Sequence, residues 1–305
     1  MAALTRASGY QNYTSDGSNF IPEIWSGKLV EKFYESTVFG AIANTDYEGE
    51  IKDKGDTVKI STVPNVTISA YEIGGTITYE ELTSTGVDLE INYADMFAFR
   101  CDDIDKKQSH IADLDSWANE TSQKMKIQTD TAILGSIYSD VAAVNAGLTA
   151  GKISGDINLG TTGTPLALTK TNILDFIVDM GTVHDEQNVP EEGRWLVLPA
   201  WVCALIKKSD LQDASIAGDA TSILRNGRVG MIDRFTIYNS NNVSKVTTYY
   251  HVLSGHKSGL TFAAQMTNME TLRIPDSFGN YVRGLQVYGF QVINDTVLNH
   301  AVVTK

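Results

Sequence analysis

Cysteine is nearly absent from this 305-residue chain: Cys101 and Cys203 are its whole supply, about a hundred positions apart and in no C-x-x-C pair. That spacing excludes a disulfide framework and a zinc ribbon, and a reducing cytoplasm is the expected place of synthesis. Long apolar runs are missing as well. No stretch approaches the ~18 consecutive apolar residues that cross a bilayer. The opening MAALTRASGYQNY lacks the basic head and apolar run of a secretory signal, so no membrane partner is expected. Positive charge is scarce: 24 Lys and Arg face 37 Asp and Glu, a net −13, and a field of that sign repels polyanions at long range. The balance argues against a protein whose first task is to grip nucleic acid.

Catalytic motifs are missing too, and with them any cofactor. The nearest approach to a phosphate loop is Gly147-Leu148-Thr149-Ala150-Gly151-Lys152-Ile153, one residue short and with Ile where the magnesium-binding hydroxyl belongs. Gly255-His256-Lys257-Ser258-Gly259 puts its serine one place away from a nucleophile elbow. The histidines, at 110, 184, 251, 256 and 300, form no i, i+4 pair with Glu, so a zinc protease is not written here. Asp102, Asp103 and Asp105 suit the positive end of a helix better than a calcium ion, which wants six or more oxygens.

What the chain does have is an ordinary globular balance, 42% hydrophobic and 20% charged residues, enough to bury a core without cross-links. Residues 1–20 are small, polar and without periodicity, and read as an extended arm. From Pro22, apolar positions Ile24, Trp25, Leu29, Val30, Phe33 and Tyr34 recur at helical spacing up to Gly40. The period then changes to two. Val58 and Ile60 alternate with polar residues, and so do Val87, Leu89, Ile91 and Tyr93, which predicts an antiparallel pair. Between them lies a long segment with Gly74-Gly75 as its turn, so residues 50–101 read as a two-stranded finger. A ribbon alone in water is marginal, and this one carries Val66, Ile68, Tyr71, Ile73, Ile77 and Tyr79. Those side chains, with Phe20, Ile24 and Trp25 near the arm, are the candidates for an interface with another surface.

A stretch without Pro or Gly follows to Leu134, with a weakly apolar seam through Ile111, Leu114, Ala118, Thr121, Met125, Gln128 and Ala132. It predicts one long helix, about thirty residues or roughly 45 Å. Residues 145–168, rich in Gly, Thr and Ala, read as a linker or surface loop, and Thr169 as the cap of a helix through Ile173, Phe176, Ile177, Met180 and Val183. Then come a short strand, Trp195–Leu198, stopped by Pro199, and a helix through Trp201, Leu205 and Ile206. The remainder reads as strands over 235–238, 247–253, 271–274 and 281–293, giving an α+β class.

This order of elements resembles the major capsid proteins of tailed bacteriophages, with the Hong Kong 97-type fold. The residues that carry it are Ile21-Pro22-Glu23-Ile24-Trp25, Lys54-Gly55-Asp56-Thr57-Val58, Gly193 through Trp201, and Gly227-Arg228-Val229-Gly230 through Phe235-Thr236-Ile237-Tyr238-Asn239-Ser240-Asn241. The resemblance implies an arm and helix over 1–49, the finger over 50–101, a peripheral domain with a spine helix over 102–165 and 267–305, and an axial domain over 166–266. It implies a homo-oligomer of pentamers and hexamers closing an icosahedral shell around double-stranded DNA, touched non-specifically, with a scaffolding protein and a portal as partners. It also implies that finger and arm reach neighbouring subunits. The negative charge agrees with a container, whose wall must not hold its contents. The alternatives are a nanocompartment shell with the same fold, which would enclose a cargo enzyme, and a soluble hydrolase with a scattered site.

Overall fold

The computed structural model describes residues 37–46, 57–61, 64, 66–76, 79–81, 86–102, 114–209, 230–273 and 279–305. Phe20, Ile24, Trp25 and Ile77, with the expected arm and most of the first helix, lie outside them. The first described element is the short helix α1, Phe39–Ile42. The strands β1, Thr57–Ser61, and β2, Gly86–Glu90, pair antiparallel with Val58 opposite Leu89 and Ile60 opposite Val87, as the period-two pattern requires. The alternation does not run on through Tyr93. The ladder stops at Ile91 and Asn92, and β3, Tyr93–Asp102, joins another sheet, beside the strand Gly279–Val292.

The long helix is α2, Leu114–Ser136, 23 residues, or about 35 Å. Its seam differs from the expected one. Over the last turns the buried face is Thr129, Asp130, Ile133 and Leu134, continuing to Ile137, so it passes one position beyond Gln128 and Ala132. The pattern is displaced because a carboxylate is buried on this face. Asp130 Oδ1 accepts the N–H groups of Val38 and Phe39 at 2.9 and 2.8 Å, and Oδ2 accepts Asn242 Nδ2 at 2.7 Å.

The passage 145–168 is a packed loop and not a linker. Ala150 and Leu159 are fully buried and Leu168 nearly so, and Asn145 Nδ2 donates to the carbonyls of Thr296 and Leu298. Glycines at positive φ, including Gly147 and Gly160, let the loop turn back on itself. It delivers β4, Leu166–Ala167, to the second sheet. The helix that follows, α3, spans Ile173–Glu186. Its cap residue is Asn172, whose Oδ1 accepts the Thr169 N–H at 2.7 Å instead of closing on the helix. The cap therefore lies three residues later than Thr169.

β5, Arg194–Leu198, is buried along its whole length, so it reads as a run without alternation. Pro199 caps α4, Ala200–Lys208, at a position where the missing N–H costs nothing. The chain closes with β6, Met231–Ile232, β7, Phe235–Asn239, β8, Lys245–Val246, β9, Tyr249–His256, β10, Leu260–Arg273, β11, Gly279–Val292, and β12, Leu298–Thr304. The strand expected over 247–253 begins at Tyr249, after a turn at Thr247, which has φ of 54°. The short strand expected at 271–274 is the end of the 14-residue β10.

β4-β12-β9-β5-β7-β6, with β8 on β9, form the second sheet, which is buried on both faces. Leu196, Leu198, Val252, Ala301 and Val303 point to α3 and α4 and share a core with Phe176, Ile177, Met180 and Ile206. Trp195, Val197, Leu253 and Leu298 point the other way. There they meet Ile42, the end of α2 and the base of β10 and β11 through Phe262, Tyr288 and Phe290. The sheet is thus the shared wall of two cores.

Candidate assembly surfaces

The finger is anchored at its base and bare beyond it. Ile60, Leu89 and Ile91 pack with Ala263, and against these lie Val58, Val287 and Ile293. Gly289 allows the close approach, since a Cβ there would overlap the carbonyl oxygen of Glu90. Farther out the described residues carry no ladder. Gly75 N donates to Glu72 O at 3.1 Å around Gly74, whose φ of 85° makes the turn a glycine position. The arms are joined lower down, where Glu80 accepts the N–H of Thr67 at 3.0 Å and its hydroxyl at 3.3 Å. Around these contacts Ile68 is 95% exposed, Ile73 92%, Tyr79 87%, Tyr71 76% and Val66 63%. The structure brings these sequence candidates together on one projection.

The finger is also acidic. From Ile60 to Gly86 the chain holds Glu72, Glu80 and Glu81 and no Lys or Arg. A surface that matches it needs apolar area and cations, and the sequence reading missed one: the outer half of β3-β11-β10. On that face Tyr281 stands between Leu272 and Arg100, Arg283 between Glu270 and Ala98, and Leu285 beside Met96. Met96 is 81% exposed, and Leu272, Tyr281 and Leu285 are exposed as well. Arg283 pairs with Glu270 at 2.7 Å. The signal was present in β11, where Tyr281 and Leu285 alternate with buried Val282 and Gly284, leaving apolar residues on both faces.

The motif fragments resolve into structure. The Gly-rich fragment around Gly151 does form an anion nest, but the chain fills it: Glu186 accepts Ile153 N at 2.7 Å and Ser154 N at 3.2 Å. Those amide bonds, Ile153 first, hold the Glu186 carboxyl below its usual range. His256 Nδ1 lies 2.8 Å from Ser258 Oγ, within a three-residue turn that also gives it the Ser258 N–H. His251 pairs with His300, at 2.8 Å, and not with His256. Burial pushes the Cys203 thiol up to about 11, which keeps it protonated and unreactive. Among the described residues no group of three or more His, Cys, Asp or Glu is placed to hold a metal, and no helix is long and apolar enough to cross a membrane.

A family model described as phage capsid protein matches residues 93–297. The chain belongs to the phage capsid protein family. A chain from Mycobacterium phage Che8 is 29% identical and superposes with a TM-score of 0.79, over 92% of this chain and 97% of that one. The capsid of cyanophage P-SCSP1u (15% identity, TM-score 0.69, 99% and 100% covered) and the mature capsid of bacteriophage PhiM1 (13%, 0.68, 98% and 97%) share the fold. No curated protein sequence matches this chain. The fold is the Hong Kong 97-type capsid fold, and this phage capsid protein is a structural, non-enzymatic subunit of a virion shell.

Proposed function

We propose that this capsid protein packs as pentamers and hexamers into an icosahedral head around double-stranded DNA, after synthesis in the host cytoplasm with the help of a scaffolding protein and around a portal. The finger is the main tie between copies: its apolar, acidic tip lies on the outer β3-β11-β10 face of a neighbour. The arm, with Phe20, Ile24 and Trp25, adds a second tie. The division is an arm and helix over 1–49, the finger over 50–101, a peripheral domain over 102–165 and 267–305, and an axial domain over 166–266, whose sheet β12 completes.

The observation that carries this reading is the exposure of Ile68 and Ile73, 95% and 92%, on an element with no core of its own. Covering such side chains stabilises by about 1.5–3 kcal/mol each. The complementary face is continuous with the site where the finger's own base is seated on β11, and its Arg283 and Arg100 suit the three glutamates of the tip. Replacing Ile68 and Ile73 together by Ser leaves the subunit folded and reduces shells seen by electron microscopy to unassembled capsomers or subunits. Replacing Met96 and Leu285 by Ser has the same effect. Normal shells from the first variant overturn the finger's role, and normal shells from the second alone move its landing site elsewhere.

A further inference from the structure

Where the long helix ends, two histidines meet. His251 on β9 and His300 on β12 are diagonal neighbours in the antiparallel ladder, His251 opposite Val302 and His300 opposite Leu253. His251 Nδ1 lies 2.8 Å from His300 Nε2, so one ring's N–H donates to the other's lone pair. That bond survives only while at least one ring is neutral. The rings stack with centroids 5.0 Å apart at 15°. Tyr138, in the 3-10 turn Ile137–Asp140 directly after α2, lies over both, 4.1 Å from His251 and 5.4 Å from His300. Tyr249 closes the edge at 5.5 Å and 75°.

The surroundings offer little to a second positive charge. His251 is 3% exposed. Tyr138 and Tyr249 are the titratable side chains in ring contact with the pair. On the turn, Asp140 is engaged with Ser139 Oγ at 3.2 Å; on β8, Lys245 stands over Tyr250; from the packed loop, Ala146 meets His300 as an isolated β-bridge. Burial holds His251 below the ordinary imidazole value, and burial with the neighbouring ring pushes His300 down to about 4. One proton is tolerable, shared between the nitrogens under the face of Tyr138. Two protons leave donors facing donors across 2.8 Å.

We propose that His251 and His300, clamped under Tyr138, are an acid-operated latch between the seven-stranded sheet and the turn that ends α2. Double protonation parts the rings and lifts the turn. The same segment runs on through Ala142, whose N–H donates to Asp295 O at 3.3 Å, and Asn145, bound to the carbonyls of Thr296 and Leu298. Release therefore loosens the helix end and the loop together, and changes how α2 is set against the sheet.

The test is amide hydrogen exchange on the full chain at pH 7 and pH 4.5, corrected for the intrinsic rate. Residues 137–146 are compared with α4, which lies on the opposite face of the sheet and carries no His, Asp or Glu. Protection of 137–146 falls roughly tenfold or more beyond any change in α4 on acidification, because an opened pair takes up protons that the closed pair refuses. His300→Gln and His251→Gln each reduce that difference, since a lone ring keeps the penalty of burial but has no like charge to repel. Equal protection at both pH values in the unmodified chain overturns the latch, and so does a variant that keeps the acid loss in full. Should neither variant fold, NMR titration of the imidazoles in the unmodified chain decides. Two coupled steps, the lower near 4, support the latch; two independent steps near the ordinary histidine value refute it.

Discussion

At the residue scale, buried polar side chains tie together segments of this subunit that are remote in sequence. Asp130 is fully buried and accepts from the start of α1 and from Asn242, so it joins three segments far apart in the chain. Asp130→Ala leaves those donors buried without a partner, at about 1–3 kcal/mol each where no water enters. Chemical denaturation of the unassembled chain is expected to show a loss of about 3 kcal/mol or more, with Asp130→Asn milder because it keeps one acceptor. His184 is the complementary case. It is fully buried, bonded through Nε2 to Ser254 Oγ at 2.9 Å, and pushed down to about 3 by burial, with the Arg194 charge adding to the effect. The unfolded chain therefore takes up this proton near 6.5 and the folded one near 3. The contribution is complete above pH 6.5 and is lost progressively as pH falls toward 3. Urea titrations across that range are expected to show a stability slope that His184→Gln makes shallower, at the cost of the Ser254 bond at neutral pH. An unchanged slope in the variant would show that other groups control the acid limb.

At the element scale, what the sequence disclosed depended on whether side-chain period alone decides the structure. The pair Val58/Ile60 with Val87/Leu89 was legible because one face is buried and the other wet, and α3 was legible because its buried stripe is apolar up to His184. The exposure of the finger's apolar side chains was legible for a related reason, since they have no alternating partner strand. Three things were hidden. The seam of α2 was displaced by Asp130, whose partners at positions 38, 39 and 242 are remote in sequence. The loop 145–168 looked like a linker because its buried Ala150 and Leu159 are isolated among Gly and Thr, and tertiary contact rather than pattern seats them. The face proposed to receive the finger is formed by strands β3, β10 and β11 meeting across 93–292, which no local window displays. Gly289 marks that meeting. Gly289→Ala drives a methyl group into the Glu90 carbonyl, and overpacking of this kind costs about 1–3 kcal/mol. Faster amide exchange in β1 and β2 is the expected readout, with α3 and α4 unaffected.

At the scale of the whole molecule, the seven-stranded sheet ties the subunit into one cooperative body and leaves the finger outside it. Trp195 and Leu196 are neighbours on β5 yet belong to opposite cores, and Val252 and Leu253 on β9 divide in the same way. Neither core can melt without stripping a face from the sheet that supports the other. The finger contributes Ile60, Leu89 and Ile91 at its base, while the described residues of the tip, 66–76 and Tyr79, bury almost nothing in the subunit. Replacing residues 66–81 by a short Gly-Ser turn should therefore leave a single unfolding transition, with a midpoint close to that of the parent. In the assembled state the same deletion should abolish closed shells, because the area it removes is buried only between copies. A second, lower transition in the shortened chain would mean that the tip supports the core, and the separation of folding from assembly would fail.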